Sequence, residues 1–395
     1  MQTVTDRIVK ISRHGDIVFV GPNGSGKSRT LRELCLKRVN DGHNVIAISN
    51  TPYSRLPDYS RENYSHIRVN PEMTNSILKS LIIGALESES RSYSSMREIL
   101  SHTGYQPMLD VNISIGKLKY ANENKFHEAL EEASLQKDVP DEVRFLIENL
   151  HRVSGHHEID LENIFSFFAE KELIALTLKY QSQINRILRN IKGKVSASFG
   201  LTRKDGNRIP VHKASSGELT LITLAMFILT NSHGLDYVFI DEPENSLHPQ
   251  WQSKFLSFIS TVSRQENINY QVASHSPVLL TGALTSERKV AVIRCRPDGF
   301  EELQHFQQES DDSVEELLWE AFDVVTPASR FVAKRVSDLL WQLEDEQISK
   351  ADVVLEIEDF IRKSISRDQV KFLQATIKLV DTIQKTKDEG DDGPA

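Results

Sequence analysis

The 395-residue sequence has little cysteine and no long hydrophobic run. Its two cysteines, Cys35 and Cys295, lie far apart without CxxC spacing, which argues against a disulfide framework or a thiolate metal site and predicts two buried apolar residues. No apolar stretch approaches the length that spans a bilayer, and the N-terminal MQTVTDRIVK lacks the apolar core of a secretion signal. These absences predict a cytoplasmic protein with no membrane partner.

Basic residues are in the minority, with 47 Lys and Arg against 56 Asp and Glu and a net charge of −9. A chain with this balance meets nucleic acid through a local basic patch rather than through its whole surface. One basic stretch, residues 186–213, carries a single acid, Asp205, among the basic residues Arg186, Arg189, Lys192, Lys194, Arg203, Lys204, Arg208 and Lys213. Its composition fits nucleic-acid binding and a solvated basic face about equally.

The segment from Asp16 to Ser28, DIVFVGPNGSGKS, joins an apolar strand to a Gly-rich loop, and a helix-competent segment follows. This order suits phosphate binding, because glycines let backbone N–H groups face an anion and the helix N-terminus adds partial positive charge. Lys27 is predicted to reach the β and γ phosphates, and the Ser28 hydroxyl to coordinate Mg²⁺. The predicted nucleotide-binding residues of this P-loop are Gly21, Asn23, Gly24, Gly26, Lys27 and Ser28.

A second apolar run, Tyr237 to Ile240, ends in two carboxylates, Asp241 and Glu242. In α/β sheets, ligands bind at the carboxyl ends of the strands, so both acids are predicted to lie in a site. Asp241 is suited to hold Mg²⁺, and Glu242 to position or deprotonate an attacking water. The alternative is a solvated acidic turn that follows a core strand.

Two shorter signals accompany these motifs. Ser215-Ser216-Gly217-Glu218 opens a predicted helix, where a glycine and two hydroxyls make an anion site and Ser215 and Glu218 have the spacing of a capping box. Taken alone, this segment is an ordinary helix cap. His275 follows the predicted strand Tyr270 to Ala273; a lone histidine is more often structural, but this one is placed to contact a γ phosphate.

The combination of GPNGSGKS, SSGE, DEPENSLHP and SHSP resembles ABC-type ATPases of the soluble OLD-like branch, which are related in their heads to SMC-type proteins. The resemblance implies ATP and Mg²⁺ as cofactors, Asp241 as the Walker B acid, Glu242 as the catalytic base and His275 as the switch histidine. It also implies a homodimer or higher homo-oligomer with ATP between subunits. Nucleotide held by the second subunit would be contacted by Ser215, Ser216, Gly217 and Glu218, with the D-loop, Ser246 to His248, at that interface.

Two features depart from that family. A Q-loop glutamine is not evident, and Asn50, after the apolar run HNVIAIS, takes its place as the candidate Mg²⁺ contact. The Toprim nuclease domain of OLD nucleases is not indicated either, since Asp311-Asp312 lack a preceding apolar strand and the C-terminal region is helical in pattern. The chain thus resembles the stand-alone ATPase of a bacterial anti-phage system such as Septu PtuA, which implies a partner effector nuclease of HNH or Toprim type.

Strands that alternate with helices predict an α/β fold with a mainly parallel sheet. We expect an ATPase head in two parts, 1–80 and 195–305, separated by a helical insertion at 81–194, then a C-terminal helical region at 306–387 and a flexible tail at 388–395. An apolar stripe in the C-terminal region, Phe331, Val332, Leu339 and Leu340, fits the chain's own core, a dimer contact or an effector contact.

The predicted function is an ATP-binding and ATP-hydrolysing regulatory subunit of an anti-phage system, which dimerises around ATP and controls an effector nuclease. One alternative is an SMC-like ATPase of DNA repair or chromosome maintenance, although such proteins insert a long coiled coil and residues 81–194 lack sustained heptads. Another is a scaffold that binds ATP with little turnover. The ATPase subunit of a membrane transporter is disfavoured, because the sequence DEPENSLHP is uncharacteristic of importers and exporters.

Overall fold

The computed structural model describes residues 8, 15–51, 54–59, 61–69, 71–87, 91–117, 139–161, 168–189, 193–231, 234–262, 268–297, 299–303, 314–324, 330–345, 347–364 and 367–390. The chain divides into two compact units. The first unit comprises Met1–Leu34 and Gln271–Ala395, and the second comprises Cys35–Tyr270.

The strands of the described residues are β1 (Asp16–Val20), β2 (Val45–Ser49), β3 (Tyr64–Arg68), β4 (Tyr105–Lys117), β5 (Gly155–Asp160), β6 (Gly193–Arg203), β7 (Arg208–Pro210), β8 (Tyr237–Asp241), β9 (Asn269–Ala273), β10 (Val290–Arg296) and β11 (Gly299–Glu302). The helices are α1 (Lys27–Asn40), α2 (Pro71–Glu87), α3 (Arg91–His102), α4 (Asp141–Glu148), α5 (Leu150–Val153), α6 (Phe168–Lys179), α7 (Gln181–Leu188), α8 (Ser216–Thr230), α9 (Pro249–Val262), α10 (Pro277–Leu284), α11 (Val314–Phe322), α12 (Arg330–Glu344), α13 (Lys350–Lys363) and α14 (Arg367–Gly390).

In the first unit, strand β1 lies between two parallel neighbours. It pairs with β10 along its whole length and with the last residues of β9, while β11 turns back antiparallel on β10. All five residues of β1, DIVFV, are buried. A continuous buried apolar run is typical of a parallel strand covered on both faces.

The second unit contains two groups of strands. Strand β2 pairs in parallel with β8 on one side and with β3 on the other, and every residue of β2 and β8 is buried. A separate antiparallel sheet has the order β5-β4-β6-β7. Helix α8 is buried over most of its length, and a hydroxyl pair, Thr74 with Thr223 at 2.7 Å, joins it to α2. The α/β fold class with a mainly parallel sheet is confirmed.

The prediction of a helical insertion at 81–194 is wrong in part, because β4 and β5 lie within it. The buried apolar residues Leu109, Val111 and Ile113 alternate with polar residues along β4, which is the period of a strand and not of a helix. Helices α3 to α7 do occupy much of the segment. Residues 118–138 lie outside the described residues.

The C-terminal region is helical as predicted, with α11 to α14. The apolar stripe of α12 lies in this region's own core, since Val332 and Leu339 are buried there with Ile357, Phe360 and Leu373, and Phe331 and Leu340 pack against that cluster. The predicted tail begins within α14, which extends to Gly390, and residues 391–395 lie outside the described residues. None of the described helices combines the length and the apolar character that crossing a bilayer requires.

Candidate nucleotide site

The P-loop begins directly after β1, at a glycine that no larger residue can replace. Gly21 has φ 136°, and a Cβ built on it would lie 2.8 Å from both the Cys295 carbonyl oxygen and the Ser25 Oγ. Left-handed φ values and such close approach both require glycine. Gly24 and Gly26 also have positive φ, with values of 83° and 98°. The loop is therefore shaped by its glycines.

Two polar side chains of this loop are suited to an anion. Lys27 is 5% exposed, and its Nζ donates to the carbonyl oxygens of Gly21 at 2.8 Å and Pro22 at 3.1 Å. The Oγ of Ser25 is buried without a hydrogen-bond partner among the described residues. A buried amine that turns onto its own loop and a buried hydroxyl without a partner are the groups that a phosphate would engage. The residues present thus fit a bound nucleotide.

The remaining predicted P-loop residues line the same turn. Asn23 and Gly24 are exposed, and Ser28 lies in the first turn of α1. Their contacts with nucleotide, and the Mg²⁺ role of Ser28, stay predictions.

His275 lies at the same sheet edge as the P-loop. Strands β1 and β9 are parallel with Phe19 opposite Ala273, so Gly21 and His275 follow neighbouring strand ends. The Ser276 Oγ accepts a hydrogen bond from the Leu279 amide at 3.2 Å and so caps α10, which leaves His275 exposed in the short turn between strand and helix. Its position suits the switch role, and the role itself stays a prediction.

Both cysteines are free and buried, as predicted. Burial raises the pKa of the Cys295 thiol to about 11, although a hydrogen bond with Thr30 and the charge of Lys27 act in the opposite direction. Burial likewise raises the pKa of Cys35 to about 12, against a hydrogen bond with Tyr64. Burial thus favours the neutral thiol at both positions.

In the second unit, β8 ends at Asp241, which is fully buried. The Ser54 hydroxyl donates to Asp241 Oδ2 at 3.0 Å and so fixes the carboxylate. Sequence reasoning missed Ser54, because it comes from the loop after β2 and lies 187 residues away along the chain. A buried carboxylate at the end of a parallel strand fits the predicted Mg²⁺ role of Asp241.

Glu242 adopts an uncommon backbone conformation, with φ 53°. The left-handed region costs a non-glycine residue roughly 1–2 kcal/mol. Its side chain is held by Asn245, whose Nδ2 donates to Glu242 Oε2 at 3.0 Å. Such strain is found at functional sites when the surroundings impose it. The predicted base is thus held in place by a residue that sequence reasoning missed.

Asn50 holds this loop from the other side. Its Nδ2 donates to the Pro243 carbonyl at 3.2 Å and to the Asn245 carbonyl, while Asn245 Nδ2 donates to the Asn50 carbonyl at 3.3 Å. An amide nitrogen is a donor and does not bind a cation. The structure therefore gives Asn50 a positioning role for the loop, and any Mg²⁺ contact through its Oδ1 stays a prediction.

The segment Ser215 to Glu218 forms the predicted capping box. The Ser215 Oγ accepts from the Glu218 amide at 3.3 Å, and the Glu218 Oε2 accepts from the Ser215 amide at 3.1 Å. The Tyr105 hydroxyl also donates to Glu218 Oε2, at 2.6 Å. Burial, and then this hydrogen bond, raise the pKa of Tyr105 above its ordinary range. The Glu218 carboxylate is thus engaged within the chain.

Gly217 and Ser216 differ in their surroundings. A Cβ built on Gly217 would lie 2.8 Å from the Ser246 carbonyl oxygen, so the backbone of the predicted D-loop packs directly on this glycine. Ser246 itself has φ 72° and is exposed, as are His248 and Ser216. The close backbone approach explains the glycine without a ligand, and the contact of this segment with nucleotide stays a prediction.

A family model described as "AAA domain, putative AbiEii toxin, Type IV TA system" matches residues 52–281. The matched range begins after the P-loop and includes the capping-box segment, Asp241, Glu242 and His275. No curated protein matches the chain.

Among solved structures, VirB4 of Thermoanaerobacter pseudethanolicus is 12% identical, with a TM-score of 0.29, over 73% of this chain and 79% of that one. An SMC head bound to the C-winged helix domain of ScpA is 12% identical, with a TM-score of 0.26, over 73% and 89%. The SMC head of Pyrococcus furiosus bound to the C-terminal domain of ScpA is 14% identical, with a TM-score of 0.21, over 46% and 54%. Because the family model covers more than half of the chain, the protein belongs to this AAA-domain family of P-loop ATPases.

Proposed function

We propose that the protein is an ATP-hydrolysing regulatory subunit of a bacterial anti-phage system, which dimerises around ATP and controls a separate effector nuclease. The observation that carries the hydrolytic part is the strained Glu242, held by Asn245 directly after a buried Asp241. A protein that only stored nucleotide would not need a carboxylate fixed in an unfavourable backbone conformation.

In this proposal each group has one task. Lys27 would exchange the carbonyl oxygens of Gly21 and Pro22 for phosphate oxygens, and Asp241 and Ser28 would be the ligands of a Mg²⁺ ion that neutralises phosphate charge. Glu242 orients the attacking water and accepts its proton, and its carboxylate stays in position through Asn245. His275, at the same sheet edge as the P-loop, contacts the γ phosphate.

In the proposed dimer, the start of α8 contacts the nucleotide bound to the other subunit. Glu218 and the Ser215 Oγ are already engaged in the capping box and with Tyr105. Contact with a nucleotide held by a second subunit therefore falls to the exposed Ser216 hydroxyl and to the backbone N–H groups of the first helical turn. The neighbouring exposed Ser246 and His248 belong to the same face, since the Ser246 carbonyl packs on Gly217.

The defence role draws its support from family and composition. The family description names a toxin of a Type IV TA system. The motifs resemble OLD-like ATPases, while the described C-terminal residues form helices with a core of their own instead of strands that carry carboxylates. Helices at these positions favour action through a partner, and we propose an HNH or Toprim nuclease.

Nucleic acid is a further proposed partner, through residues 186–213. The described basic side chains of this stretch are exposed, and Arg208 is paired with Glu158. Arg203 and Lys204 lie at the end of β6 next to the turn at Gly206, where their charge is available to phosphates, and Lys194 lies at the other end of the strand. Binding of this kind weakens steeply as salt is raised, so a salt series on labelled single- and double-stranded DNA measures it.

The decisive experiment is Glu242→Gln, which keeps the shape of the side chain and removes the base. We expect ATP turnover to fall by about a hundredfold or more while ATP affinity is retained. We also expect light scattering to show an ATP-dependent dimer that ADP does not support. Arg29→Ala is the matched control, because Arg29 is exposed on α1 and pairs only with Glu33 at 3.1 Å in the contacts described here.

Three results would count against the proposal at different points. Normal turnover in Glu242→Gln would remove the hydrolytic assignment. A second test expresses the variant in place of the native chain, with the neighbouring genes intact. If turnover is lost and phage plating does not change, the ATPase assignment stands and the defence role is wrong. A wild-type chain that binds ATP without multiple turnover would favour the scaffold alternative.

A further inference from the structure

The small antiparallel sheet of the second unit brings three potential metal ligands together, apart from the residues of the nucleotide site. On β4 and β5, Asp110 lies directly opposite Glu158, and His156 precedes Glu158 by two positions on the same strand. Residues two apart on a strand face the same side of a sheet. The three side chains therefore share one face, and one ligand atom from each lies within 4.8 Å of those of the other two.

Asp110 is the unusual member of this cluster, because it is 5% exposed and its Oδ1 has no hydrogen-bond partner among the described residues. A buried carboxylate oxygen without a partner is costly, and such a group calls for an explanation. The Nε2 of His156 lies 3.7 Å from Asp110 Oδ1, beyond hydrogen-bonding distance. The oxygen is therefore left for another ligand.

The sheet also makes room for this carboxylate. Gly200 of β6 lies opposite Asp110, and a Cβ built on Gly200 would lie 3.1 Å from the Asp110 Cβ and 3.2 Å from its Oδ2. Gly200 does not have a left-handed φ, so its backbone conformation does not require glycine. The lack of a side chain instead leaves space for Asp110. The Asp110 side chain thus lies over a gap in the neighbouring strand.

His156 and Glu158 supply the other two ligands from the rim. Their side chains are 47% and 38% exposed, so both atoms can be reached from solvent. Arg208 pairs with Glu158 through one nitrogen. Two carboxylates against one guanidinium leave a net negative charge at these side chains, which attracts a cation.

We propose that Asp110, His156 and Glu158 bind a divalent transition-metal ion of the Zn²⁺ class. One imidazole nitrogen with two carboxylates is a donor set that suits such ions. Metal–ligand distances of about 2.0–2.2 Å place ligand atoms about 3–4 Å apart, and the 3.7 Å between Asp110 and His156 already meets this spacing. The ion would fasten β5 to β4, because its ligands come from both strands.

The test uses Co²⁺ as a visible probe, on nucleotide-free full-length chain that has been stripped with chelator. We expect one equivalent of Co²⁺ to give ligand-field absorption, and Zn²⁺ to displace it. Asp110→Asn and His156→Gln should each weaken the binding at least about tenfold. Both substitutions keep side-chain size, and circular dichroism of the metal-free variants verifies the fold.

Two controls separate this site from others on the chain. His151→Gln removes an exposed imidazole from the same unit and should leave Co²⁺ affinity unchanged. Lys27→Ala should also leave it unchanged, because the P-loop is not involved. Zn²⁺ should raise the melting temperature of the wild type and not that of His156→Gln, since only a bound ion stabilises the folded state. Equal Co²⁺ affinity in the wild type and both ligand variants, or no binding below millimolar Co²⁺, would overturn the proposal.

Discussion

Two helices of this protein begin with serine and glycine, and both starts were predicted to bind phosphate, yet their polar groups are used differently. At the start of α1, the Ser25 Oγ is buried without a partner among the described residues, and the Lys27 Nζ donates to the carbonyl oxygens of Gly21 and Pro22. At the start of α8, Ser215 and Glu218 satisfy each other, and Tyr105 adds a third hydrogen bond. The polar groups at the start of α1 are thus placed to bind a ligand, whereas those at the start of α8 largely form hydrogen bonds within the chain.

This difference separates two reasons for a glycine-containing helix start. Gly21 combines a left-handed φ with contact to the Cys295 carbonyl, so its loop can turn backbone N–H groups to an anion. Gly217 has no left-handed φ and instead lies against the Ser246 carbonyl. A motif that looks like an anion site can therefore owe its glycine to packing, and the substitutions below separate the two cases.

The largest expected effect is that of Lys27→Ala on nucleotide binding. Lys27 carries the one cationic side chain in the P-loop sequence GPNGSGKS. Its loss should weaken the affinity for ATP by a factor of about a hundred or more. Isothermal titration with ATP and Mg²⁺ measures the change. Arg29→Ala, two residues further along α1, should bind ATP like the wild type. If Lys27→Ala kept its affinity for ATP, the start of α1 would not be a phosphate-binding site.

Gly217→Ala should destabilise the protein, by about 1–3 kcal/mol, since the new Cβ would collide with the Ser246 carbonyl. The sign is informative, because alanine in a helix without such a contact is favoured over glycine by about 1 kcal/mol. Urea unfolding measures the difference. Gly299→Ala is the matched control: it has no atom within 4 Å of a built Cβ and should change the free energy of unfolding by less than about 0.5 kcal/mol.

Ser215→Ala tests whether the capping box is structural. Loss of the cap should lower the free energy of unfolding by about 1 kcal/mol. The affinity of a single chain for ATP should not change, because the Ser215 hydroxyl is engaged with the Glu218 amide. Urea unfolding and ATP titration of the same preparation give both values. A weakened single-chain ATP affinity with unchanged stability would show that α8 resembles α1 after all.

Part of the difference between the α1 and α8 starts could be predicted from the sequence. The apolar runs within β1 and β8 and the loop glycines carry strong local signals, and the capping box follows from the spacing of Ser215 and Glu218. What could not be predicted depends on long-range contacts. Ser54 reaches Asp241 across 187 residues, and Tyr105 reaches Glu218 across 113.

The strands of the small sheet were missed for a local reason. In β5, GHHEID, one face carries His156 and Glu158, so the apolar alternation that identifies a strand is weak. In β4 the alternation of Leu109, Val111 and Ile113 is clear, but the helical patterns on either side obscured it. The polar face that hid β5 is the same face that carries the proposed metal ligands.

The smallest expected effect is that of Tyr105→Phe, which removes one of the hydrogen bonds to Glu218 and leaves the capping box. We expect a loss of about 0.5–1 kcal/mol in the free energy of unfolding at neutral pH. The pKa of Tyr105 is raised in the folded protein, by burial first and then by the Glu218 carboxylate. The folded state therefore favours the protonated phenol, so this contribution is complete below the ordinary tyrosine pKa of about 10 and is lost as pH rises further. Urea unfolding of both proteins from neutral to alkaline pH should show their difference narrowing above that value. A difference that stays constant would mean that Tyr105 supports α8 through packing alone, and that the capping box with Ser215 is what engages the Glu218 carboxylate.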